Sequence, residues 1–74
     1  MFTIELLLRH ENDPYNPFVV DRVVSERTRL DDVDRTAKSL LAKGGLRFRN
    51  NPPNAYRILD DKGAVVLRSW ERPL

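Results

Sequence analysis

The sequence predicts an α+β domain in the order β-β-α-β-β, a four-stranded, mainly antiparallel sheet with one helix packed on one face. Three observations carry this. Between Arg29 and Lys43, the apolar residues Leu30, Val33, Ala37, Leu40 and Leu41 recur at steps of three and four, which gathers them on one side of a helix, with Leu40 expected at the buried centre of the stripe. At the N-terminus, Phe2, Ile4, Leu6 and Leu8 alternate with Thr3, Glu5, Leu7 and Arg9, the period of a strand with one buried face. Near the C-terminus, Ala55 to Asp60 and Ala64 to Trp70 flank Asp61, Lys62 and Gly63. A three-residue loop ending in glycine fits a hairpin built on a type I turn and a bulge, with Gly63 at positive φ.

Taken in order, the first strand carries one anomaly, Leu7, an apolar residue on the polar side of the alternation. It points to a central strand or a partly covered second face. His10 to Pro17 is dense in Asn, Asp and Pro and reads as a loop. Phe18 to Ser25, rich in Val and Phe, reads as a second strand antiparallel to the first. Its interior charges, Asp21 and Arg22, place it at a sheet edge, because edge charges discourage further pairing.

Thr28 suits the N-cap of the helix, with Asp31 three residues on, and Asp31, Asp32 and Asp34 complement the positive end of its dipole. Asp31 with Arg35, and Asp34 with Lys38, are acid-then-base pairs at four-residue spacing. Gly44 or Gly45 is expected to close the helix. Leu46 to Asn54 is a second connection, in which Pro52 and Pro53 prevent a regular element from continuing.

A chain of 74 residues makes one domain that buries only roughly 60 % of the surface its unfolded chain exposes. The core is therefore thin, and without cysteine neither disulfides nor a thiolate metal site reinforces it. Phe2 to Leu8 is too short, and too interrupted by Glu5, for a membrane span, and it lacks the features of a secretory leader. A complete, cytoplasmic small protein is the expectation.

Charge is unevenly spread. Residues 1–36 hold five Lys or Arg against eight Asp or Glu, a net of −3, whereas residues 37–74 hold eight against three, a net of +5. Such asymmetry marks either a nucleic-acid surface or self-complementary halves.

Catalysis is poorly supplied: there is no cysteine, His10 is the only histidine, and Ser25, Ser39 and Ser69 occupy ordinary positions. No enzymatic role, cofactor or metal is expected. His10, Glu11 and Asp13 lack the second histidine or glycine-organised loop of a metal site, and Lys43, Gly44 and Gly45 follow a helix where a phosphate cradle precedes one.

Two surfaces remain. The hairpin is apolar on both faces, and one helix covers only one. With Leu59 opposite Val65 and Ile58 opposite Val66, the larger set, Tyr56, Ile58, Val66 and Trp70, is assigned beneath the helix. Leu59, Val65 and Leu67, with Leu7, are then left on the opposite face around Arg57. Monomers seldom display a large apolar patch, so this face should be shielded by its own loops or tail, by a second copy, or by another protein. A homodimer there would bring Arg57 against an acidic residue of the partner. This self-associating interaction module is the leading functional expectation. The alternative is a weak single-stranded nucleic-acid binder in which Lys43, Arg47, Phe48 and Arg49 combine guanidinium groups for phosphate with a ring for base stacking.

Overall fold

The computed structural model of the chain describes residues 1–10, 13–47 and 52–71, the side chains of His10, 13–16 and 44–47 excepted. The elements are β1 (Phe2–His10), β2 (Asp13–Ser25), α1 (Leu30–Arg47), β3 (Ala55–Leu59) and β4 (Val65–Arg68), in the predicted order. The strands form one antiparallel sheet in the order β2-β1-β3-β4. β1 is thus central, as Leu7 suggested, and β2 lies at an edge.

β2 begins at Asp13 and not at Phe18, so most of the expected loop is strand. Pro14 and Pro17 are tolerated there because an edge strand has one row of amides without sheet partners. The β1–β2 register shifts between Leu6 and Leu7 and again between Leu8 and His10, which lets thirteen residues pair with nine.

α1 lies across one face of the sheet. Ile4, Leu6, Val33, Ala37, Tyr56 and Ile58 form the buried core, with Phe2, Val23, Leu30, Leu40, Leu41 and Leu67 packed around it. The predicted helical stripe is therefore the buried one, although its centre is Val33 and Ala37, both fully buried, and not the partly buried Leu40. Arg29, not Thr28, takes the N-cap position: its carbonyl accepts from the amides of Asp32 at 3.1 Å and Val33 at 3.2 Å. The helix also continues through Gly44 and Gly45 to Arg47. Glycine weakens a helix by about 1 kcal/mol but does not forbid it, so the expected stop was a preference that the fold overrides. Of the two expected pairs, Lys38 lies 3.5 Å from Asp34, whereas Asp31 is 4.0 Å from Arg29.

The β3–β4 turn has the predicted chemistry. Gly63 has φ +83°, its amide donates to the Asp60 carbonyl at 3.1 Å, and the Asp60 amide donates to the Ala64 carbonyl at 2.8 Å. Leu59 faces Val65 as expected. Between Leu59 and Ile58, however, the register shifts, and Ile58 faces Leu67. Val66 is the extra residue of a bulge. Side chains alternate with period two, so this one residue turns everything beyond it to the other face. Leu67, expected on the uncovered face, packs into the core, and Val66, expected beneath the helix, is 42 % exposed.

Candidate interface on the uncovered sheet face

Cross-strand partners share a face, so the pairing places the residues of the uncovered side in rows. One row runs Val24, Thr3, Leu59, Val65 from β2 to β4; the next runs Arg22, Glu5, Arg57, Arg68. Two residues further along β1, Leu7 lies opposite Ala55.

Glu5 is the pivot of the charged row. Although it lies on the face without a helix, it is only 3 % exposed, because arginines from both neighbouring strands close over it. Arg22 Nε donates to Glu5 Oε2 at 2.6 Å, and Arg57 Nε donates to Oε1. Burial pushes the Glu5 pKa upward and is the largest single influence. The hydrogen bonds and charges of Arg22 and Arg57 together outweigh it, and the carboxyl is held below its ordinary range. Arg57 therefore has its acidic partner within the chain. Arg68, opposite Arg57, extends the row and pairs with Glu71 at 3.3 Å.

The end of this face near Trp70 is closed by the chain itself. Leu7 is fully buried and Ala55 nearly so, both outside the main core cluster. The Arg9 guanidinium lies over the Trp70 ring, 4.3 Å from its centroid. Asn54 extends the pairing of β1: its amide donates to the Leu7 carbonyl, its side-chain amide to the Arg9 carbonyl, and its Oδ1 accepts from the Arg9 amide. Trp70, expected beneath the helix, is thus engaged with Arg9 on the strand's other side. Leu7 leaves the set of residues able to meet a partner.

The opposite end is open. Val24 is 62 % exposed and Met1 71 %, while Leu59 and Val65 are half-buried. Met1, Thr3, Val24 and Leu59 line a shallow concavity bounded by Arg22 on one side and by Asp61, on the β3–β4 turn, on the other, and Val65 continues the row beside it. Asp60 is committed to that turn, accepting from the amides of Lys62 and Ala64 at 2.9 Å each, whereas Asp61 is exposed.

Of the residues expected at a partner surface, the structure therefore brings together Leu59, Val65 and Arg57, and withdraws Leu7 and Leu67. Glu5, Val24, Arg22, Arg68 and Asp61 were missed. A signal existed for part of this set: a lone acid at the middle of one strand and a lone arginine at the middle of each of two others suit one charged row. Of the nucleic-acid cluster, Lys43 is exposed on α1 and Arg47 ends it, while Phe48, Arg49 and the side chain of Arg47 lie outside the described residues, as do the side chains of His10, Glu11 and Asp13. Among the described residues, no group of three or more His, Cys, Asp or Glu could hold a metal ion, and no helix is long and apolar enough to cross a membrane.

Comparison of the chain with protein-family models, with curated proteins and with solved structures found no match.

Proposed function

We propose that this protein is a non-enzymatic interaction module that associates with a second copy of itself through the open part of its uncovered sheet face. The observation that carries the reading is the row Val24, Thr3, Leu59, Val65, a largely apolar strip with Val24 62 % exposed on a face that, among the described residues, no helix covers. A domain of this size gains little from its own core, and covering such a strip adds apolar burial of about 25 cal/mol per Å². The sheet edges are poorly suited to the task. β4 is four residues long and contains a bulge, and β2 carries Pro14, Pro17 and charged residues, all features that blunt an edge. A cysteine-free chain suits the reducing cytoplasm, where we place the module.

Sedimentation equilibrium over a concentration series tests the reading. The mass should rise with concentration toward that of two chains, and Val24→Asp should hold it at one while the circular dichroism spectrum is unchanged. A mass of one chain at every concentration would refute self-association.

A further inference from the structure

We infer that the two copies meet about a twofold axis lying along the Val24–Thr3–Leu59–Val65 row, so that Asp61 of each copy faces Arg68 of the other. The inference rests on the proposed self-association and specifies its geometry.

The face is banded along the strands. Exposed Asp61 lies two residues beyond Leu59 at the turn, and Arg57 lies two residues before it, opposite Arg68. Strands rise roughly 3.4 Å per residue, which puts Arg57 and Arg68 about 7 Å to one side of the apolar row, while the turn carries Asp61 to the other side. A twofold axis along that row lays apolar row on apolar row. It also exchanges the two ends, placing the turn of one copy over the arginines of the other.

An axis running across the strands keeps lateral position. The β3–β4 turn of one copy then faces β3 and β4 of its partner, the strands that carry Arg57 and Arg68. Facing sheets pack about 10 Å apart, a gap that an arginine and an aspartate reaching toward each other can span. Arg57 is tied to Glu5, and its side chain is 26 % exposed, against 41 % for Arg68. Arg68 is therefore the better-placed partner. Its contact with Glu71 is long and peripheral at 3.3 Å, and the Glu71 side chain is 58 % exposed. Lys62, on the same turn as Asp61, is not part of the concavity. An axis through the charged row instead would lay arginines on arginines, and like charges brought together favour neither association nor that register.

A charge exchange tests this geometry. Asp61→Lys and Arg68→Glu are made separately, with thermal melting monitored to show that each folds. Each variant alone should associate about tenfold more weakly than the parent chain, because two like-charge contacts replace two attractive ones. An equimolar mixture should recover association to within about threefold of the parent. In the mixed dimer the two introduced side chains, opposite in charge, meet each other at one contact, and the unaltered Asp61 and Arg68 meet at the other. A mixture no stronger than the separate variants would overturn the register. If Val24→Asp still abolished the dimer, the proposed face would survive that result. A dimer indifferent to Val24→Asp and to both exchanges would remove face and register together.

Discussion

The phenol of Tyr56 on β3 donates a hydrogen bond to the Asp34 carboxylate on α1. Tyr56 is 2 % exposed, so its ring fills the core while its hydroxyl reaches the helix. The bond joins residues 22 apart in sequence and ties the helix to the face of the sheet it covers.

Tyr56→Phe keeps the ring and removes this bond. Asp34 retains Lys38 at 3.5 Å and is 16 % exposed at its side chain, which limits the penalty for losing the hydroxyl. The expected loss is about 1 to 2 kcal/mol, seen as a lower urea midpoint with an unchanged slope. An unchanged midpoint would show that the bond contributes nothing net.

Glu5 should make stability depend on pH. Its folded pKa lies below the unfolded value of 4.5, so the folded state favours the carboxylate. The resulting stability is present above that unfolded value and is lost as the pH falls through the lower folded value. Glu5→Gln should cost on the order of 2 kcal/mol at pH 7, below the full cost of breaking a buried pair because Arg22 is largely exposed and rehydrates. The variant should lose less stability than the parent between pH 7 and pH 3. Urea midpoints at the two values measure this, and parallel losses would show that Glu5 is not coupled to folding.

The centre of the core should respond to truncation more strongly than its margin. Ile58 is fully buried between helix and sheet, and Ile58→Ala should cost about 2 to 5 kcal/mol. Leu40 is only partly buried, and Leu40→Ala should fall at or below the lower end of that range. Chemical denaturation of the two variants ranks them. Equal or reversed losses would place the centre of the helix contact further along α1.

What could be read from the sequence was local. The spacing of Leu30, Val33, Ala37, Leu40 and Leu41 determined the helix and its buried stripe, because helical periodicity is a property of consecutive residues. The turn at Asp60 to Gly63 followed from glycine's freedom at positive φ, and the edge position of β2 from its interior charges. The element order was legible for the same reason.

What only the tertiary structure decided was register and neighbour. Nothing within residues 55–70 shows that Val66 is skipped, since a bulge depends on how two strands meet and not on either alone. That one residue moved Leu67 into the core and changed the composition of the open face. Strand order acted likewise: placing β1 between β2 and β3 brought Glu5 between Arg22 and Arg57, which lie 17 and 52 residues away. Side-chain alternation assigned Glu5 to the polar face of β1. Its burial there follows from the two neighbouring strands, whose arginines the chain delivers only once the sheet has formed.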